Sequence, residues 1–142
     1  MSNERHSVSV AAAIVRDDNR VLLVQRADNG HWEPPGGVLE LDETIEHGLA
    51  REIAEETGMS VEVDTLSGVY KNMTRGIVSL VFRCRPTTED LRVNDEVSDF
   101  RWATDDELDD LMDPAYVVRA RDAIRYNGTP AIRNHDGVLL VA

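Results

Sequence analysis

Three carboxylates crowd into the run Arg51-Glu52-Ile53-Ala54-Glu55-Glu56. Glu52 and Glu56 are four apart and Glu52 and Glu55 three apart, so on a helix all three project from one face. Like charges at that spacing cost a helix about 0.2–0.5 kcal/mol per pair, and acidic groups near its C-terminus oppose the dipole. Something must offset the repulsion. Arg51 can neutralise one carboxylate, and a hard divalent ion can take the rest. Mg²⁺ suits that task, because it prefers carboxylate oxygen and keeps positions open for water and phosphate. Taken alone, such a charge run is more often a solvated helix face.

The surrounding positions decide between the two. Gly37, Glu43, Arg51, Glu52, Ile53, Glu55, Glu56, Gly58 and Met59 fill every defined position of G-x5-E-x7-R-E-U-x-E-E-x-G-U, where U is a bulky aliphatic. That pattern is the Nudix box, and the chain resembles a Nudix hydrolase. The resemblance implies an α/β/α sandwich around a mixed β-sheet, with the box as a loop–helix–loop. It implies that Glu52, Glu55 and Glu56 face Mg²⁺ or Mn²⁺, with Glu56 and Glu52 as the direct ligands and the Gly36 carbonyl as a further one. Arg51 would orient the glutamates, Glu43 would brace the loop through a salt bridge to Arg51, and Glu55 is taken ahead of Glu52 as general base. Glu96, taken ahead of Asp95 and a few residues before the Trp-ending strand at Trp102, looks like the remote carboxylate that some members bring to the metal site. The implied reaction is attack of water on phosphorus in a phosphoanhydride, with divalent ions cancelling charge and a glutamate taking the proton.

Four residues outside the box are candidates for substrate contact. Arg26 ends a strand and can meet a phosphate; Trp32 can stack on a base or pack beneath its loop; Tyr70 and Arg75 lie on or after the strand that follows the box. His31, His47 and His135 show no metal-ligand spacing. Within the family, ADP-ribose-cleaving members are expected to carry a Pro downstream of the box, and diadenosine-polyphosphate members a Tyr slightly farther on. Here Thr74, Arg75 and Gly76 stand in that region and Tyr70 falls too early. No SQPWPFP-like run points to NADH. By elimination the leading substrate is an ordinary or oxidised nucleoside triphosphate, of ribose or deoxyribose. A nucleotide sugar or related nucleoside-diphosphate conjugate comes next, and an RNA 5′ end third. A non-catalytic nucleotide-binding regulator is the reading from a different class; it could lose the carboxylates that this chain keeps.

These side chains need a scaffold. A helix from Asp42 or Thr44 to Thr57, closed by Gly58, would carry the glutamates and bury an Ile45–Leu49–Ile53 stripe. Gly48 inside it calls for a tight packing contact. Ahead of it, Ser7–Arg16 and Arg20–Gln25 read as strands joined in a hairpin at Asp17-Asp18-Asn19. Val61–Val69, Gly76–Cys84 and Val97–Trp102 read as strands, and Thr104–Met112 as a short helix capped by Thr104. A helix follows with Pro114 at its first position, then a closing hairpin over Thr129–Ala142 turned by Asp136-Gly137. Thr129–Ala142 is a candidate for pairing with a second copy in a homodimer or for closing the pocket; its apolar Val138–Val141 run is too hydrophobic for an open sheet edge, and pairing within the sheet accounts for it equally well. Strands and helices mix without strict βαβ alternation, which gives an α+β class.

Composition bounds the rest. A chain of 142 residues is read as a single domain, 1–142, able to bury a core without disulfides. The lone Cys84 is expected to be a half-buried structural thiol in a reducing compartment. The net charge of −12 argues against avid nucleic-acid binding, yet admits a small phosphate-bearing nucleotide held through a bound cation. No apolar stretch is long enough for a membrane span, and the polar start, Met1 to His6, does not read as a signal peptide, so the protein is read as cytoplasmic.

Overall fold

A computed structural model describes residues 4–141. The first three residues of the polar start, Met1, Ser2 and Asn3, and Ala142 at the end of the closing hairpin lie outside the described residues.

The first strand, β1 (Ser7–Ile14), forms the middle of the molecule. It pairs in parallel with β6 (Ile77–Pro86) and antiparallel with the short β4 (Gly36–Val38). A strand with neighbours on both sides and cover on both faces reads as a continuous apolar run, as Val10 to Ile14 does, while the less buried start, Ser7 to Ser9, alternates. Its alternate residues still part company. Ala11 and Ala13 pack with Val117, Ala120 and Ala123 on one face of the sheet, whereas Val10, Ala12 and Ile14 pack with Leu49 and Ile53 on the other. Those partners lie on α3 (Pro114–Ile124) and α1 (Ile45–Thr57) respectively, so helices cover opposite faces of one mixed sheet. The expected α/β/α sandwich is the observed architecture.

The six-stranded sheet runs β4-β1-β6-β5-β8-β9, with β5 at Val61–Asn72, β8 at Ala131–His135 and β9 at Leu140–Val141. A second, antiparallel sheet has the order β3-β2-β7, with β2 at Val21–Arg26, β3 at Trp32–Glu33 and β7 at Val97–Ala103. The hairpin expected between the first two strands is therefore not formed. They touch through the single bridge Val15↔Val21 and then diverge into different sheets. Val10–Ile14 and Val21–Val24 are buried apolar runs, and a shared two-stranded ribbon cannot cover two such runs on both faces.

Helix α1 settles which N-cap is used: the Thr44 hydroxyl accepts the His47 N–H at 3.2 Å. Gly58 ends the helix at φ +78°. Ile45 departs from the expected buried stripe. It is 38% exposed while Leu49 and Ile53 are 1% exposed, because the capped first turn, Thr44 to His47, stays in solvent. Gly48 has the predicted packing reason: a Cβ there would stand 2.5 Å from Leu39 and 2.8 Å from the Glu43 carboxylate.

Cys84 is fully buried, not half-buried, and burial pushes its thiol up to about 12. The 3-10 turn Asp105–Glu107 and α2 (Leu108–Leu111) replace the single short helix expected after Thr104. The closing hairpin is present, but β9 pairs with β8 alone among the described residues and leaves Leu140 and Val141 about 40% exposed along the sheet edge.

Candidate active site

The edge strand β4 and the last two turns of α1 build the site together. In the β1–β4 ladder the contacts Ala12 N–H to Pro35 O and Leu39 N–H to Val8 O fix which residues bond across. Gly36 falls at the intervening position, so its N–H and C=O point away from β1. The N–H donates to Glu56 Oε2 at 3.2 Å. No larger residue fits at Gly36, because a Cβ would lie 2.4 Å from the Val10 carbonyl and 2.7 Å from Ala11 Cα. A Cβ on Gly37 would instead meet the Glu52 carboxylate at 2.5–2.6 Å. The leading glycine of the box thus clears the space in which Glu52 sits.

Arg51 organises the acidic face. It donates to Glu43 through Nε at 2.9 Å and Nη2 at 2.5 Å, and through Nη1 to Glu52 at 3.0 Å and Glu55 at 3.2 Å. The expected Glu43–Arg51 brace is present. With the Glu40 N–H also bonded to it, the Glu43 carboxyl is held down at about 2. Glu56 has no such cation. Burial raises it to about 8, the charges of Glu52, Glu33 and Glu96 push the same way, and the Gly36 N–H opposes them. Burial also raises Glu52, against the pull of Arg51.

Glu52 and Glu56 line a cavity of about 430 Å³ together with Gly36, Gly37, Asp95 and Glu96. A larger cavity of about 920 Å³ adjoins it, and Arg26, Asp28 and Glu33 line both. Trp32 and Arg75 wall the larger one, facing Tyr116 and the Asp136–Val138 turn of the C-terminal hairpin. Arg26 is held by Asp28 in a bidentate pair at 2.7 and 3.0 Å and by Glu33 at 3.3 Å.

Two candidate residues fall elsewhere. Tyr70 turns into the core, fully buried, and its hydroxyl donates to Asp122 at 2.8 Å, so it lines neither cavity. Period-two alternation on β5 put it on the inward face, against α3. Glu55 has its side chain 60% exposed, rests on Arg51 and lines neither cavity. Sequence reasoning missed Glu33 and Asp28, whereas the C-terminal hairpin, expected as a candidate pocket-closing segment, does line the larger cavity through Asp136–Val138. Glu33 had a local signal, since it lies between Trp32 and the Pro-Pro-Gly-Gly run. The parallel pairing of β8 with β5 is what brings the hairpin turn to the cavity.

As the side chains stand, no three His, Cys, Asp or Glu among the described residues converge closely enough to enclose an ion. The donor set nevertheless fits a hard divalent cation. Glu52 and Glu56 line one cavity, Glu56 carries a half-buried carboxyl bonded to the Gly36 N–H and paired with no cation among the described residues, and Gly37 leaves the room a side chain would fill. Mg²⁺ commonly takes one or two protein carboxylates and completes its shell with water and phosphate.

The NUDIX domain family profile matches residues 5–125. The chain belongs to the Nudix family and is a pyrophosphohydrolase of that family. Among curated proteins it is 56% identical to a MutT-like protein of Streptomyces ambofaciens, over 96% of this chain and 88% of that one. It is 34% identical to an ADP-ribose pyrophosphatase of Methanocaldococcus jannaschii, over 66% of this chain and 60% of the relative. Among solved structures, a NUDIX hydrolase from Nitrosomonas europaea superposes with a TM-score of 0.79 at 27% identity, covering 94% of this chain and 82% of the other.

Proposed function

We propose that the protein hydrolyses a phosphoanhydride bond of a nucleoside triphosphate or of another nucleoside diphosphate linked to X, with Mg²⁺ or Mn²⁺ held by Glu52 and Glu56. The single observation that carries this reading is the pair of cavities that share Arg26, Asp28 and Glu33, one holding Glu52 and Glu56 and the other walled by Trp32, Tyr116 and Arg75. A divalent cation bound there supplies charge neutralisation of the diphosphate and a more acidic water.

The chain's own residues do the rest. Arg51 fixes the Glu52 carboxylate from behind, bracing it against Glu43. In this reading Glu52 takes the water's proton in preference to Glu55, a choice supported by Glu52 lining the cavity while Glu55 does not. Glu96 stands across the cavity as a further ligand, and the Gly36 carbonyl, free of the β-ladder, is another. Arg26 is positioned to meet a phosphoryl oxygen, Trp32 and Arg75 to meet the base or X. The substrate is a small nucleotide, and no described helix is long and apolar enough to cross a membrane.

A nucleotide panel assayed with Mg²⁺ and with Mn²⁺, compared by kcat/KM, tests the reading. Glu56→Gln is expected to lower metal-dependent turnover by about 10²-fold or more, the scale on which one electrostatic group acts in a closed site. Near-full activity in a folded Glu56→Gln protein overturns it. The ADP-ribose pyrophosphatase relative makes a nucleoside-diphosphate conjugate the second reading, and the panel separates it from a triphosphate.

A further inference from the structure

Glu33 stands where the two cavities meet, and the mechanism above gives it no task. Its carboxylate is largely buried, with 22% of the side chain exposed. Oε1 accepts from Arg26 at 3.3 Å, while among the described residues no donor reaches Oε2. Glu33 lines both cavities, so a ligand at their junction meets this side chain. The other carboxylate on this shared wall is not free, since both Asp28 oxygens are taken by Arg26. Glu33 therefore offers the one unclaimed strong acceptor among the three residues that line both cavities.

What would lie at that point follows from the order of parts in a nucleotide. With the diphosphate beside Glu52 and Glu56, and the base or X in the larger cavity, the group between them is a ribose. A ribose presents hydroxyl donors, and an ionised carboxylate is their strongest side-chain acceptor. A base amine is the other donor a carboxylate could take, but it lies a sugar's length farther from the diphosphate. Burial pushes the Glu33 carboxyl up, and Arg26, bonded to it, and Arg119 pull the other way; in either protonation state a carboxyl oxygen remains to accept a hydroxyl.

We propose that Glu33 is a specificity-determining residue that accepts a hydrogen bond from the ribose 2′-hydroxyl, so that the protein selects ribonucleotides over 2′-deoxyribonucleotides. This rests on the diphosphate and nucleoside placement argued above and names the sugar that the site reads.

The test measures binding of three pairs, ADP and 2′-deoxyADP, GDP and dGDP, UDP and dUDP, to the full chain with Mg²⁺ by calorimetry. Hydrolysis of the matching triphosphate pairs is followed in parallel. The ribo form is expected to be preferred by about 10- to 100-fold in every pair, the range of one hydrogen bond to a charged acceptor. In Glu33→Leu the ratio is expected to fall to within about threefold, as it should when the acceptor is gone. Glu33→Gln, which keeps the volume, serves if Glu33→Leu melts early, and should shrink the ratio as well. Equal binding of ribo and deoxy forms by the unsubstituted protein overturns the inference. So does a preference that survives both substitutions, or one that follows the base amine and vanishes for uridine. The two readings fail separately: hydrolysis without ribose selectivity sinks only this inference, and ribose-selective binding without hydrolysis sinks only the catalytic reading.

Discussion

Gly36 and Gly37 are neighbours with different tasks, and substitution separates them. A Cβ on Gly37 meets the end of a flexible side chain, the Glu52 carboxylate, whereas a Cβ on Gly36 meets the backbone of β1. Gly37→Ala is expected to leave the melting temperature within a few degrees while lowering kcat at least about tenfold, because Glu52 must move. Gly36→Ala should destabilise the fold by about 1–3 kcal/mol, as overpacking against rigid atoms does. Thermal melts paired with steady-state assays check both. Glu56 carries a pH signature. Its folded value of about 8 lies above the ordinary 4.5, so the metal-free folded state holds an extra proton between those pH values. Stability of the chelated protein should then be greatest below pH 4.5 as far as this group is concerned, and should fall as pH rises toward 8. Glu56→Gln should flatten part of that slope, the rest belonging to Glu33 and Glu52, which burial shifts the same way. Melting curves at stepped pH in a chelator read this directly. At this scale the box was legible because its glycines, glutamates and arginine lie close in sequence. The role of Glu33 was not, since its value depends on cavities that meet only in the fold.

Helix termini carry the predictions that belong to elements. Thr44 caps the helix that aims the glutamates, and Thr44→Ala should cost about 0.5–2 kcal/mol in denaturant unfolding. At the start of the short helical segment after β7, the Glu107 carboxylate accepts from both the N–H and the hydroxyl of Thr104 and pairs with Arg101. The Thr104 N–H first, then Arg101, holds that carboxyl at about 2. The contribution is therefore present above the ordinary pH of 4.5 and is lost as pH falls toward 2. Glu107→Gln should lower stability at neutral pH and make the acid transition shallower, as seen by circular dichroism during acid titration. Helices and caps were readable because their signals are local: an oxygen before the first turn, a glycine after the last. Strand partners were less so. The apolar β1 and β2 runs revealed that they were strands and hid which sheet each joins, because a strand buried on both faces has no polar side to orient it.

For the whole molecule, the C-terminal hairpin joins stability to the larger cavity. Residues 126–141 lie beyond the family match, yet β8 extends the sheet beside β5, and Thr74 Oγ1 donates to the Asp136 carbonyl at 2.9 Å. Ending the chain after Tyr126 should lower the melting temperature and raise KM more than it lowers kcat, because the hairpin walls the cavity and stands apart from the glutamates. Assays of the truncated and full chains on one nucleotide check that split. By itself, the amino-acid order determined the family, the helix that carries the acidic face, and the demand of three crowded carboxylates for positive charge. Those follow from spacing along one helix, which is fixed by 3.6 residues per turn. Only the tertiary structure decided that Tyr70 belongs to the core, that Glu52 and Glu56 face the cavity while Glu55 rests outside on Arg51, and that Glu33 holds the junction. Each of these is a matter of which distant surface a side chain meets, and that is set by sheet order and packing, not by neighbours in the chain.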